Sequence, residues 1–341
     1  MLFRRYCVVR RSFMKGEYLG HLSRHDRLYD YLQYEIFPAL GCGNPDGIRV
    51  FGTNGSNAVY IYEERRSNVK AVGKFFYSNN MCSWKEAERR LEREWESLLH
   101  ARSVLNGCHY VARPLGRNIE LGCLLVTEFC DGMPLEDVIN RAVYNKEEQL
   151  LHDKLRALAG FLAEMHNHSA QSFRVDFNAE CHYFKRLCDM LSQQGFDVHE
   201  LHRWEKSWQD VPAMWEDCAV KVHGDATPAN FFFGDDMYVI SFDLERMKFS
   251  DRCFDLGRLA GEIQHYFLRA VGNKYLAEPF ISGFLCNYCS CFPDRYRALE
   301  SISSRLPFYM GMTLLRIARN SYHSPEYRRK LINEAALCLN R

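Results

Sequence analysis

The sequence predicts an α+β fold in which a small β-rich region precedes a larger, mainly helical one. Three observations carry this. Short runs rich in Val, Ile, Phe and Tyr at 48–52, 58–63 and 69–76 are separated by Gly, Asn and Ser turns, the signature of strands. After Asp131-Gly132 the pattern changes to successive amphipathic helices over 134–217, among them Leu155 to His166. A β-rich insert at 220–243 then interrupts the helices, which resume near Asp251 and continue to the end.

Within the first region, residues 1–20 read as irregular. Leu28, Tyr31, Leu32 and Ile36 recur at mixed helical spacing and predict a helix between Leu22 and Leu40. A longer helix follows Ser83, an N-cap with Glu86 as its capping-box partner, and carries Ala87, Leu91, Trp95 and Leu98 along one face. Two more strands are expected near Val111–Arg117 and Leu121–Phe129. The chain therefore divides into an N-terminal extension with a helix (1–47), a β-sheet region with one long helix (48–130) and a helical region (131–341).

The 341 residues are 47% hydrophobic and 26% charged, as in ordinary globular proteins. A net charge of +1 gives no overall field favouring nucleic acid or an anionic membrane. The 14 cysteines are scattered and MLFRRYCVVRRSF has no apolar h-region, which points to reduced thiols in a cytoplasmic protein. No apolar run approaches membrane-spanning length. Monomer and homodimer both remain open.

Four elements carry chemistry. In His223-Gly224-Asp225, followed by Asn230, an acid can take a proton from an attacking hydroxyl, and an amide oxygen five residues on can ligate Mg²⁺. Asp243 ends the apolar run MYVISFD and is suited to a metal bridging nucleotide phosphates; Glu245 follows two residues on. Lys74, on a strand, precedes the helix bearing Glu94, and a strand lysine held by a helix glutamate can reach α- and β-phosphates. Gly52 and Gly55, with Ser56, lie between two strands where small residues let backbone N–H groups approach phosphate.

The order of these parts resembles the aminoglycoside phosphotransferase/choline kinase family, which has a two-lobed protein-kinase-like fold. HGDATPAN is similar to the family's HGDxxxxN loop, SFDLE to its metal segment, FDLGRLAGEI to the helix start that supports the loop, and TEFCDGMPL to its hinge. The resemblance covers roughly residues 48–270. It implies ATP and Mg²⁺ as cofactors, Asp225 as catalytic base and Asn230 and Asp243 as metal ligands. Lys74 and Glu94 become the phosphate-anchoring pair, and Glu128 and Cys130 the hinge residues that receive adenine. Asp255 and His223 become supports of the loop, with acceptor contacts from 175–220 and 255–341. Two departures stand out: fewer glycines than in protein kinases, and Ala226-Thr227-Pro228 where relatives often have Leu-His-Pro. No Walker A motif occurs.

Each feature has a plainer reading. Glu88, Glu92 and Glu96 share a helix with Glu94, which is preferred because it precedes the Trp95/Leu98/Leu99 face. Asn54-Gly55 equally suits a hairpin turn. Glu245 is either a metal or acceptor contact or a salt-bridge partner. Cys286, Cys289 and Cys291 have zinc-like spacing but lack a second pair, which favours packed thiols. His166, His168, Tyr183 and Phe184 read as packing residues. The functional expectation is an ATP-dependent kinase of an amino-alcohol, sugar or aminoglycoside-like hydroxyl. A kinase of a lipopolysaccharide-core or other glycan sugar is the alternative, calling for a basic mouth built from Arg246, Lys248 and Arg252; a cationic acceptor calls for an acidic pocket. A nucleotide-binding pseudokinase scaffold is the non-catalytic alternative, disfavoured by the presence of base, metal ligands, lysine and glutamate together.

Overall fold

The computed structural model describes residues 16–43, 45–53, 58–77, 82–105, 109–234 and 238–340. Gly55 and Ser56, predicted at the phosphate loop, lie outside them. The chain divides into two compact units, Met1–Leu99 with Val111–Met133 and His100–Tyr110 with Pro134–Arg341.

The first unit is built on strands β1 (Glu17–His21), β2 (Ile48–Gly52), β3 (Ala58–Glu64) and β4 (Lys70–Phe75). Helix α1 (Arg27–Tyr31) and the short α2 (Phe37–Ala39) fall between β1 and β2 and are joined by a π-helical turn. Helix α3 (Trp84–Val104) follows, then β5 (Tyr110–Val111), β6 (Pro114–Asn118) and β7 (Leu124–Glu128). An antiparallel sheet runs in the order β1-β2-β3-β4-β7-β6.

Residues 17–39 join this unit rather than preceding it. β1 pairs Glu17 with Gly52 and His21 with Arg49. It is an edge strand with both faces largely exposed, so its residues lack the alternation that reveals a strand in sequence. Asp26 caps α1 through the Leu28 amide at 2.9 Å. Leu28, Tyr31, Leu32, Ile36 and Phe37 then pack on Tyr62, Ala71, Leu124 and Val126.

Because side chains alternate along a strand, Ala71 and Phe75 face that cluster, whereas Lys74 points to the opposite face, where α3 lies. The strand expected over Val111–Arg117 is broken at 112–113; β6 opens at Pro114, a first position where a missing N–H is tolerated, and its register shifts between Pro114 and Gly116. The next strand starts late because Gly122 and Cys123 both take left-handed backbone, φ 75° and 52°.

In the second unit, β8 (Met133–Pro134) leads into helices α4 (Leu135–Asn145), α5 (Glu148–His168), α6 (Phe177–Gln193), α7 (His199–Gln209) and α8 (Ala213–Glu216). Four short strands follow: β9 (Val220–Val222), β10 (Phe231–Phe233), β11 (Val239–Ser241) and β12 (Lys248–Ser250). β10 pairs with β11 and β9 with β12, both antiparallel. The remaining helices are α9 (Cys253–Val271), α10 (Glu278–Cys289), α11 (Arg295–Ala318) and α12 (Pro325–Leu339).

α9 is buried at every position from Cys253 to His265, so even its polar residues must find partners inside. It can approach α11 closely because Gly257 faces Tyr309. A Cβ on Gly257 would lie 2.3 Å from Tyr309 Cβ and 3.0 Å from the Tyr309 carbonyl carbon. Gly257→Ala is therefore expected to destabilise the protein by about 1–3 kcal/mol, the usual cost of overpacking between elements that must separate. Urea unfolding measures this, and an unchanged midpoint would refute the close packing.

Candidate active site

The catalytic-loop candidate begins where β9 ends. Gly224 takes φ +81°, and a Cβ there would sit 2.0 Å from the Arg246 carbonyl oxygen, so only glycine fits both the turn and the contact. Asp255, fully buried near the start of α9, pins the turn. Its Oδ2 accepts from the His223 amide at 2.6 Å and its Oδ1 from the Gly224 amide at 3.0 Å. Burial opposes the Asp255 charge, yet the hydrogen bonds from His166 and the His223 amide hold its carboxyl below the usual carboxylate range.

Asp225 and Asn230 are joined within the loop. Asn230 donates its side-chain N–H to the Asp225 carbonyl at 2.8 Å, leaving Oδ1 as the amide's acceptor atom. The Asn230 carbonyl accepts from the Phe242 amide at 3.1 Å, which brings Asn230 to the residue before Asp243. Asp243 itself adopts φ 57°, a left-handed conformation that Asp tolerates better than bulkier residues. Two hard oxygen donors from adjoining backbone positions fit Mg²⁺, which takes one or two protein carboxylate or amide oxygens and fills its octahedron with water and phosphate.

His223 is buried, accepts the Asp225 amide on Nδ1 at 3.3 Å and lies against the Phe231 ring. Its Nε2 is buried with no partner among the described residues. Ala226, at the departure from Leu-His-Pro, is fully buried and adds nothing to the loop surface; Thr227 is half-buried.

Asp225 is ringed by three arginines, of which only Arg246 was singled out from the sequence. Arg258 Nη1 lies 2.7 Å from Oδ1, Arg316 Nη1 3.8 Å from Oδ1 and Arg246 Nε 3.9 Å from Oδ2. Burial raises the cost of the Asp225 charge, but the three guanidinium groups outweigh it and hold the carboxyl below its usual range. Arg246 also faces Glu245 at 3.8 Å, the salt-bridge alternative for that residue.

The predicted basic mouth is corrected at two of its three positions. Arg252 is buried and bonded to Asp217 and Asn167, and Lys248 is paired with Glu180 at 2.6 Å. Of the three, only Arg246 is neither buried nor held in a close ion pair; half its side chain is exposed.

Further buried polar partners lie behind the loop. His166 bonds Asp255 through Nε2 at 3.1 Å and the Tyr288 hydroxyl through Nδ1 at 2.9 Å. Burial pulls the His166 pKa down, so the neutral ring donates to Asp255 and accepts from Tyr288. Tyr288 also meets Arg252, and Asp217 ties Arg252 to Arg305, which in turn bonds Asp251 at 2.8 Å. Tyr288 sits inside the Cys286–Cys291 stretch that suggested zinc. Cys286 and Cys291 are exposed and Cys289 buried, and no three cysteine sulfurs among the described residues approach closely enough to share an ion.

In the first unit, Lys74 Nζ lies 2.7 Å from Glu94 Oε2 and both residues are buried. The buried stripe of α3 is Ala87, Leu91, Glu94, Leu98 and Ala101, so Glu94 occupies an apolar position of the helix. Leu99, assigned to that face from sequence, is instead 48% exposed. Of the rival acids, Glu92 pairs with Arg117 and Glu96 is exposed. Gly52 ends β2 opposite Tyr60. Glu128 ends β7, its carboxylate accepting the Arg113 amide at 2.6 Å, and Cys130 is buried two residues on. No described helix is long and apolar enough to cross a membrane.

Comparison with known proteins identifies the family and the fold. The model of the APH family, described as a phosphotransferase enzyme family, matches residues 47–283. No curated protein matches the chain by sequence. Solved structures with the same fold include the amicoumacin kinase hAmiN bound to AMP-PNP, Ca²⁺ and amicoumacin, at 15% identity and TM-score 0.59 over 93% of this chain and 94% of that one. A Plasmodium vivax ethanolamine kinase has 13% identity and TM-score 0.55, with 86% and 80% covered. The ADP-bound aminoglycoside phosphotransferase APH(2'')-Ib has 13% identity and TM-score 0.53, with 94% and 97% covered. The chain has a protein-kinase-like fold and belongs to the APH phosphotransferase family, as an enzyme that acts on hydroxyl acceptors.

Proposed function

We propose that the protein transfers the γ-phosphoryl group of ATP to a hydroxyl of a small molecule, with Asp225 as the base. The observation that carries this reading is the loop itself: Asp255 holds the two amides before Asp225, and Asn230 is bonded to Asp225 and to the strand end before Asp243. The acceptor oxygen forms the new P–O bond, the bond from the γ-phosphorus to its bridging oxygen breaks, and the hydroxyl proton passes to Asp225 and then to solvent. Asn230 and Asp243 would hold Mg²⁺, which offsets charge on the phosphate oxygens. Lys74, steadied by Glu94, would bind the nucleotide phosphates. Gly52, Gly55 and Ser56 would contribute backbone contacts, and Glu128 and Cys130 would receive the adenine. Amicoumacin, ethanolamine and aminoglycosides, named for the similar structures, support a small hydroxyl-bearing acceptor.

Mg²⁺-dependent thermal stabilisation by ATP, with slow ATP hydrolysis, tests this directly. Lys74→Met is expected to lower kcat/KM for ATP by roughly 10²–10³-fold, the scale for losing one donor to transferring phosphate. Unchanged stabilisation with and without Mg²⁺, or full hydrolysis by the Lys74 variant, would refute the reading.

A further inference from the structure

The surroundings of Asp225 limit what the acceptor can be. A cationic acceptor needs a carboxylate to spare beside the reacting hydroxyl. Two carboxylates near Asp225 already have arginine partners: Glu262 with Arg316, and Glu245 with Arg246 at 3.8 Å. An ammonium group entering here would meet three guanidinium groups, at 2.7, 3.8 and 3.9 Å from the Asp225 oxygens.

The charges are matched, the carboxylates of Asp225, Glu245 and Glu262 facing the three guanidinium groups, but the N–H donors outnumber the contacts they make. Each guanidinium carries five N–H groups. Among the described residues, Arg246, half-exposed, makes two ion pairs of 3.8 and 3.9 Å, both beyond hydrogen-bond reach. Arg316 bonds Glu262, but its Nε is buried with no partner among the described residues. Arg258 is 3% exposed and committed to Asp225, with the Phe254 ring 5.2 Å away. Arginine forks suit carboxylate and phosphate in particular, because two parallel N–H groups match two oxygens.

We propose that the acceptor carries an oxyanion, a carboxylate or a phosphate monoester, near the hydroxyl that is phosphorylated, and that Arg246 and Arg316 bind it while Arg258 holds Asp225. This rests on the kinase reading above. It separates the acceptor from the cationic amino-alcohols and aminoglycosides suggested by the resemblance.

The test is calorimetric, on the full-length protein saturated with Mg²⁺ and a non-hydrolysable ATP analogue. Inorganic phosphate, acetate and choline chloride are titrated separately. Phosphate or acetate is expected to bind and choline not to; phosphate alone assigns a phosphate monoester, acetate alone a carboxylate. Arg246→Gln is expected to weaken the anion by about 10-fold, the scale of one charge-assisted contact. Because Arg316→Gln alone strands the buried Glu262, the double variant Arg316→Gln/Glu262→Gln is used for that position, with the same expected loss. Choline binding with both anions excluded, no anion binding at all, or equal anion affinity in the variants would overturn the proposal. Failure of the ATP analogue to bind sinks the kinase reading instead, and this inference with it.

Discussion

Asp225→Asn is expected to lower turnover by roughly 10²–10⁴-fold, the usual contribution of a positioned general base, while Mg²⁺-dependent ATP binding persists. The substitution keeps the side-chain shape and the loop hydrogen bonds, because the Asn230 contact is to the Asp225 carbonyl and not its carboxylate. What disappears is the proton acceptor and the charge facing Arg258. Since Arg258 is almost fully buried, the variant also leaves an unpaired internal cation and is expected to unfold at lower urea. Activity must therefore be measured on folded protein at low temperature, with ATP binding as the control. Full phosphate transfer by the folded variant would remove Asp225 from the chemistry.

The arginines also set a pH expectation. They hold the Asp225 carboxyl below its usual value, so the group stays ionised, and its ion pairs stay intact, as pH falls through the ordinary carboxylate range near about 4. The sign follows from a depressed acid: its stabilisation is present above the unfolded value and lost as pH falls through the folded one. Arg258→Gln removes the nearest cation. The acid limb of kcat/KM should then move to higher pH, and a limb that stays in place would assign it to another group.

The parts of the candidate site that were legible in the sequence are those whose partners lie close along the chain or on a regular period. His223, Asp225 and Asn230 share one loop, and Asp243 lies just beyond β11, which pairs with the strand that leaves that loop. Glu94 betrayed itself by standing just before the apolar face of α3; the structure sharpens this, since it occupies the buried stripe itself. The arginine ring had no comparable signal. Arg258 and Arg316 are contributed by α9 and α11, 33 and 91 residues beyond Asp225, and in each helix they look like any polar residue. Arg252 misled for the same reason: its partner Asp217 is 35 residues away, so nothing local marked it as buried. β1 escaped because an exposed edge strand has no inside and outside to write in its sequence. Tyr288 was hidden among thiols with metal-like spacing, although its hydroxyl, not the sulfurs, makes the connection to His166.

Asp255→Asn is expected to cost roughly 3–5 kcal/mol of stability, the scale for removing one member of a buried charged network. Both carboxylate oxygens accept from N–H donors: Oδ1 from Gly224, and Oδ2 from His223 and His166. An asparagine has one acceptor oxygen and one NH₂ group, so either orientation of the amide sets an NH₂ against a donor that cannot reverse. The backbone amides of His223 and Gly224 have no alternative acceptor in the turn, and Gly224 cannot shift because its backbone already touches the Arg246 carbonyl. The loss should therefore appear twice. Urea unfolding should move to a lower midpoint, and the folded fraction should show reduced turnover with near-normal ATP affinity, because the loop that orients Asp225 is no longer held. A variant with the wild-type urea midpoint would mean that the loop is held by something other than Asp255. A destabilised variant with wild-type turnover would mean that the Asp255 contacts hold the fold without orienting the base.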